Sequence, residues 1–191
     1  MARLPLLPDS PPNPATRALF DRVRTAMGPD FHMPDLYRVL GHAPAMFEAW
    51  LDFAWPLRLN AKTPRKLREL MILRGAQVAG TAYEWAHHLP MALAAGVSDA
   101  QVDALAKWST SGHFDAQERA VLALAEEVTR GPGASAQTID RLKQQGFDES
   151  AVLELVLTAS FYVCVGRLLH SMGIELEPSF EKHLRRMGPH G

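Results

Sequence analysis

The stretch TAYEWAHHLPMALAAG, residues 81–96, decides the fold. Its content predicts a helix from about Thr81 that stops at Gly96, since glycine commonly ends helices. In such a helix Glu84 lies one turn before His87 and His88, so its carboxylate can touch either imidazole. A histidine oriented by a carboxylate can move protons near neutral pH. The stretch therefore predicts a helix that carries an acid/base group.

Helix signals continue on both sides of this stretch. Thr63-Pro64 has the form of an N-cap followed by proline, and the apolar stripe Leu67, Leu70, Met71 and Leu73 predicts a helix that ends or bends at Gly80. Residues 98–101 and 115–118 have the form of capping boxes.

Further helices are predicted from Asp115 to Arg130, from about Ser135 to Gln145 and from Asp148 to Met172. No alternating strand pattern is convincing, so the predicted fold class is all-α. Residues 151–169 are apolar almost all round, which indicates a central core helix or a subunit interface.

The length of 191 residues is close to that of one domain, and 47% hydrophobic with 21% charged residues is typical of a globular chain. Five prolines among the first fourteen residues predict an extended arm that wraps a neighbour or frays. We therefore divide the chain into residues 1–34, the proline-rich arm and first helix, and residues 35–191, the helical domain.

Several functions are disfavoured by composition. A net charge of −1 with scattered Lys and Arg argues against nucleic-acid binding. No membrane-length apolar run and no secretory signal is recognisable, so we expect a cytoplasmic protein without a membrane partner. The single cysteine, Cys164, excludes an intrachain disulfide, and its apolar neighbours predict that it is buried.

A metal site is also not expected. Glu84, His87 and His88 are close in sequence, but adjacent histidines point about 100° apart on a helix and cannot easily share one ion with Glu84. The remaining histidines, at positions 32, 42, 113, 170, 183 and 190, show no ligand spacing.

The chain resembles the carboxymuconolactone decarboxylase family of the alkylhydroperoxidase-D-like superfamily, in its cysteine-free branch. The resemblance rests on residues 35–44, 68–74, 83–88 and 94–98, which read DLYRVLGHAP, RELMILR, YEWAHH and AAGVS. It continues more weakly through Tyr162 and Gly166-Arg167 to Gly173. It implies a helical bundle that assembles with copies of itself as a trimer or hexamer.

The redox members of this superfamily carry a Glu, eleven residues, Cys-x-x-Cys, three residues and a His. Glu69 and His88 match the first and last positions, whereas Thr81 and Glu84 stand where the cysteines would be. Dithiol peroxidase chemistry needs a thiolate and a disulfide intermediate. The resemblance therefore leaves peroxidase activity disfavoured.

The resemblance instead implies a lyase that removes carbon dioxide from γ-carboxymuconolactone in aromatic-acid catabolism, without a cofactor. On this interpretation His88 donates the proton, Glu84 orients His88 or returns a proton to it, and Glu69 supplies a second carboxylate. The candidates to bind the substrate are Thr81, Tyr83 and His87, with Arg74, Arg58 or Arg38 as the cation for a carboxylate.

The alternative is a non-catalytic, oligomeric small-molecule-binding protein on the same scaffold. Glu84 and His88 are then an ordinary helix pair, and Glu69 is a structural acceptor that caps the neighbouring helix.

Overall fold

The computed structural model describes residues 2–28 and 31–187, and the regular elements of this part of the chain are all helical. This confirms the predicted fold class. The α-helices are α1 Pro14–Met27, α2 Asp35–Leu40, α3 Pro44–Trp55, α4 Arg65–Ala79, α5 Ala82–Ala94, α6 Asp99–Ala104, α7 Ala116–Arg130, α8 Ala136–Gln144 and α9 Glu149–Met172. A π-helical turn, Pro56–Asn60, and two 3-10 helices, Leu105–Lys107 and Pro178–Arg186, complete the set.

One compact unit comprises residues up to Asn60 together with residues 171–175. Its core lies between α1 and α3, where Phe20 and Phe47 are fully buried and meet edge to face with their centroids 6.1 Å apart. Such aromatic pairs add to the stabilisation that burial alone provides.

The described part of the N-terminal arm lies against its own unit. Arg38 Nη1 donates to the Leu7 carbonyl at 2.9 Å, and Arg38 Nη2 pairs with Asp9 Oδ1 at 2.6 Å. These contacts argue against fraying of the described part of the arm, whereas contact of the arm with a neighbouring copy stays a prediction.

The second unit comprises residues 61–170 and 176–191, and α4 packs against both α5 and α7. The predicted stripe on α4 is buried and divides between two apolar clusters. Leu67 and Met71 join residues of α7, α8 and α9, whereas Leu70 and Leu73 join residues of α5, α6 and α7. Each such side chain contributes about 1.5–3 kcal/mol when fully buried. Because α4 packs against both helices, its side chains are held in fixed positions relative to α5 and α7.

The helix ends follow local sequence signals. Both predicted capping boxes are present, at Ser98 with Gln101 and at Asp115 with Glu118. Gly80 ends α4 in the left-handed conformation at φ 68°, which glycine adopts without strain. Thr63 is not the N-cap of α4, because the helix begins one residue later than predicted.

Helix α9 has a buried and an exposed face. Leu155 is fully buried in the core, whereas Leu153 is 58% exposed. The prediction that Cys164 is buried is wrong, since Cys164 lies on the exposed stripe that also includes Ser160 and Arg167. By length and composition α9 could cross a membrane, but 44% of its most apolar stretch is buried in this fold, so it is no clear membrane span.

Along the chain, the first unit runs to Asn60 and the second begins at Ala61. The division into residues 1–34 and 35–191 stays a prediction.

Candidate active site

The core of the site is a carboxylate–imidazole pair between α4 and α5. Glu69 Oε2 lies 2.8 Å from Nδ1 of His88, and Arg65 Nε donates to Glu69 Oε1 at 2.6 Å. Glu69 is 1% exposed and His88 7% exposed, so the pair is shielded from water. Because one ring nitrogen of His88 is engaged by Glu69, the imidazole is held in a fixed orientation with Nε2 as its other nitrogen.

The charge of Glu69 is stabilised by its partners. Burial by itself would raise the pKa of Glu69, but His88 and Arg65 more than offset this effect and hold the pKa below its usual value. Glu69 is therefore a carboxylate at neutral pH.

The pKa of Glu84 is shifted in the opposite direction from that of Glu69. Glu84 is 4% exposed, and burial raises its pKa to about 8, with a smaller opposing effect of the Thr81 hydroxyl. The two groups are neighbours without standard hydrogen-bond geometry, and within the described residues neither Glu84 Oε1 nor Thr81 Oγ1 has a partner. Glu84 is therefore mainly a neutral acid at pH 7.

The interpretation that Glu84 orients His88 needs correction. The carboxylate on Nδ1 of His88 belongs to Glu69, and Glu84 points instead toward Gly166 of α9. A Cβ atom at position 166 would lie 3.0 Å from Glu84 Oε2 and 3.3 Å from Thr81 Oγ1. The close approach of α9 thus depends on this glycine.

Tyr162 of α9 links the two acid/base groups. Its ring meets the His88 ring edge to face, with centroids 4.8 Å apart. Tyr162 also lines a narrow cleft together with Glu84 and small residues of α4, α7 and α9. The centre of a water molecule can occupy a volume of about 10 Å³ in the cleft. The cleft therefore has room for about one water.

Tyr83 and His87 lie in a separate cluster on α5. Tyr83 Oη donates to Glu177 Oε1 at 2.9 Å, and His87 Nε2 lies 2.8 Å from Glu177 Oε2. The His87 ring stacks between Tyr83 and Phe180, at centroid distances of 4.3 and 4.0 Å. These contacts hold residues 177–187, which we term the C-terminal strap, against α5. They give both predicted substrate-binding residues a structural role.

Arg74 is also engaged elsewhere. It is 3% exposed, its Nε donates to Glu126 Oε1 at 2.7 Å, and it hydrogen-bonds Gln77. It does not supply the predicted cation for a substrate carboxylate. Arg38 and Arg58 belong to the other unit of the chain.

The sequence reasoning missed Arg65, Glu177 and Phe180. Arg65 could have been found, because it stands four residues before Glu69 on one helix face. Glu177 is 90 residues from His87 in sequence, and no local pattern marks it.

Among the residues that the structure describes, no group of three or more His, Cys, Asp or Glu side chains is placed to hold a metal ion. His190 lies outside these residues.

The comparisons with known proteins agree with this architecture. Residues 44–127 match the carboxymuconolactone decarboxylase family. No functionally curated protein shows significant sequence similarity to the chain. The debrominase Bmp8, solved as its C82A variant with 2,3,4-tribromopyrrole, superposes with a TM-score of 0.80 at 18% identity, over 98% of this chain and 100% of that one.

A peroxidase-related protein with an alkylhydroperoxidase AhpD core, from Ralstonia eutropha JMP134, has a TM-score of 0.79 at 17% identity, over 98% of this chain and 97% of its own. A peroxidase-related protein from Silicibacter sp. TM1040 has a TM-score of 0.79 at 14% identity, over 96% of each chain. The TM-scores show that these proteins share the helical fold of this chain. Over residues 44–127 the chain is similar to the carboxymuconolactone decarboxylase family.

Proposed function

We propose that the protein is a lyase that acts on a lactone or cyclic carboxylic acid by cofactor-free acid/base catalysis. The observation that carries this proposal is the opposite charge state of two neighbouring carboxyl groups. Glu69 is held as a carboxylate on His88, and Glu84 is held as a neutral acid. Pairs of acids whose environments separate their pKa values in this way are typical of acid/base sites.

The chemistry of decarboxylation needs two proton donors. As carbon dioxide leaves, its electron pair flows into the conjugated ring carbonyl, so a donor must stabilise the developing charge on that oxygen. A second acid must then protonate carbon. The neutral Glu84 suits the first task, and His88 suits the second.

Glu69 and Arg65 support His88 in this scheme. Glu69 fixes the ring so that Nε2 carries the transferred proton, and it stabilises the imidazolium before transfer. Arg65 is a positioning residue, because its guanidinium holds the second oxygen of Glu69.

A structure of the same fold supports a small ring as substrate. The debrominase of the same fold was solved with 2,3,4-tribromopyrrole, a small five-membered ring. Peroxidase chemistry of the dithiol type is disfavoured, because Thr81 and Glu84 carry no sulfur.

Self-association as a trimer or hexamer remains part of this proposal. Exposed apolar side chains support contacts between copies of the chain. They are Leu153 on α9, and Met46 and Leu59 in the other unit. Light scattering of the purified protein measures the mass, and a monomer at all concentrations would contradict the proposal.

The direct test is incubation with γ-carboxymuconolactone while loss of ring absorbance and release of carbon dioxide are followed. We expect turnover in the natural protein and a loss of about 10²–10⁴-fold in His88→Ala and in Glu84→Gln. His113→Ala, which removes an exposed histidine elsewhere in the unit, is the matched control and should retain activity.

The second candidate function is non-catalytic binding of a small molecule. The loss of both cysteine positions favours it, because Thr81 and Glu84 at these positions show that the site has been remodelled away from the redox chemistry of the superfamily. Absence of turnover on a panel of lactones and cyclic acids, with saturable binding of one of them, would support this candidate over the lyase.

A further inference from the structure

Another cavity lies in the same unit, apart from the acid/base group. It has a volume of about 520 Å³, is open to solvent, and lies between the last two turns of α7, the loop at residues 131–135 and Trp108. We term it the α7 cleft. Small-molecule sites have volumes of this order. None of the residues that line the α7 cleft belongs to the group around Glu69, Glu84 and His88, so its ligand is independent of the proposed function.

Glu126 places a partly buried carboxylate in the α7 cleft. Its side chain is 20% exposed, and its Oε1 accepts hydrogen bonds from Arg74 Nε at 2.7 Å and from Trp108 Nε1 at 2.7 Å. Burial by itself would raise the pKa of Glu126, but the hydrogen bonds from Trp108 and Arg74 lower it overall. Glu126 is therefore charged at neutral pH.

The second oxygen of Glu126 holds a cation that can be exchanged. Arg130 Nη1 lies 3.3 Å from Glu126 Oε2, and the Arg130 side chain is 53% exposed. Ion pairs with an exposed partner contribute little, because water and salt screen them. The cationic group of a ligand can therefore replace the guanidinium of Arg130 at this oxygen.

An anion is less suited to the α7 cleft. Among the described residues that line it, Arg130 is the one cation, whereas Glu126 and Glu127 are both acids. A hydrogen bond from the backbone of Ser135 is the main reason that the pKa of Glu127 is lowered. The carboxyl-terminal end of a helix also carries partial negative charge. Arg74 offsets part of this charge, but its side chain is 4% exposed and does not line the cleft.

The remaining walls of the α7 cleft are mostly apolar. Trp108 is half-buried, and its hydrogen bond to Glu126 fixes the indole ring beside the carboxylate. Ala123, Pro132 and Ala134 also line the cleft. An indole ring attracts a cation over its face and also packs against apolar groups. The cleft thus combines a carboxylate with surfaces for an apolar body.

We propose that the α7 cleft binds a small organic cation that carries an apolar body, such as an arylalkyl ammonium ion. The ammonium group takes the place of Arg130 at Glu126 Oε2, and the apolar body lies against Trp108 and Pro132.

The experiment is an NMR titration of the nitrogen-labelled full chain with phenethylammonium, phenethyl alcohol and hydrocinnamate. These probes carry the same ring with a positive, a neutral or a negative group. The readout is the indole N–H signal of Trp108, which is assigned by its loss in Trp108→Phe. We expect saturable shifts with the ammonium ion, at least about tenfold weaker binding of the alcohol, and still weaker binding of the carboxylate. Equal or tighter binding of the alcohol or the carboxylate would overturn the proposal, as would no saturable shift with any probe.

Arg130→Ala tests the charge of the ligand at an exposed position. Because Arg130 competes for Glu126 Oε2, its removal should tighten phenethylammonium binding about threefold, whereas a site for anions would lose affinity. Lys143→Ala removes an exposed cation that does not line the cleft, so this matched control should leave binding unchanged. Weaker binding of the ammonium ion in Arg130→Ala would overturn the proposal.

Glu126→Gln tests the carboxylate itself. It should weaken phenethylammonium binding at least about tenfold, since the amide offers no charge to the ammonium group. Urea unfolding checks that the variant is folded under the conditions of the titration. Unchanged binding in the folded variant would refute the assigned role of Glu126.

Discussion

Replacing Glu84 by glutamine should stabilise the protein near neutral pH and should have little effect near pH 4. Burial raises the pKa of Glu84 from an ordinary value of 4.5 to about 8. Between these two pH values the folded chain holds a proton on Glu84 that the unfolded chain releases. The free energy of unfolding therefore falls as pH rises through this window, and this loss is absent in Glu84→Gln.

The magnitude follows from linkage. At pH 7 the solution lies about 2.5 pH units above the pKa of the unfolded chain, and at about 1.36 kcal/mol per unit the stability lost is about 3 kcal/mol. The glutamine variant should gain that amount over the natural protein at pH 7. For a chain of this length the gain corresponds to a rise in Tm of roughly 6–12 °C.

Urea unfolding at half-unit steps from pH 4 to pH 9 measures the difference. Glu154→Gln is the matched control, and it should change the free energy of unfolding at pH 7 in the opposite direction. Burial would raise the pKa of Glu154, but hydrogen bonds from the backbone of Lys62 and Thr63 lower it overall. The charged Glu154 therefore stabilises the fold above the pKa of the unfolded chain, and its replacement should destabilise the protein at pH 7.

A constant difference between Glu84→Gln and the natural protein across this pH range would refute the reasoning. So would greater stability of the natural protein at pH 8, because that result would mean that Glu84 is charged and paired in the folded chain.

Two further predictions concern Arg74 and Glu177, whose side chains make contacts that stabilise the fold. Arg74→Met should destabilise the fold by about 2 kcal/mol in urea unfolding, since it deprives the half-buried Glu126 and the buried Gln77 of a charged partner; an unchanged unfolding midpoint would contradict this role. Glu177→Gln should cost roughly 2 kcal/mol and should expose the C-terminal strap to limited proteolysis, because Tyr83 and His87 lose a charged acceptor; unaltered cleavage kinetics would show that the strap is held by other contacts.

The helices could be predicted because their signals are local. Ser98 and Asp115 satisfy backbone groups within three residues of themselves, so the capping boxes depend on little beyond their own sequence. Gly80 ends α4 because of its own backbone freedom.

The partners within the site could not be predicted in the same way. The spacing of Glu84 and His88 suggested a pair on α5, but α4 presents Glu69 to the same imidazole and α9 approaches Glu84 at Gly166. Likewise, the apolar neighbours of Cys164 suggested burial, whereas the packing of α9 leaves that face exposed.

The sequence by itself determined the helical class and several helix ends, because caps and glycines act locally, and it marked Glu69, Glu84 and His88 as acid/base candidates. Only the tertiary structure decided which carboxyl group is charged. That outcome depends on the distance to His88 and Arg65 for Glu69, and on deep burial for Glu84. Electrostatic energies are set by distance and burial, and helix packing fixes both.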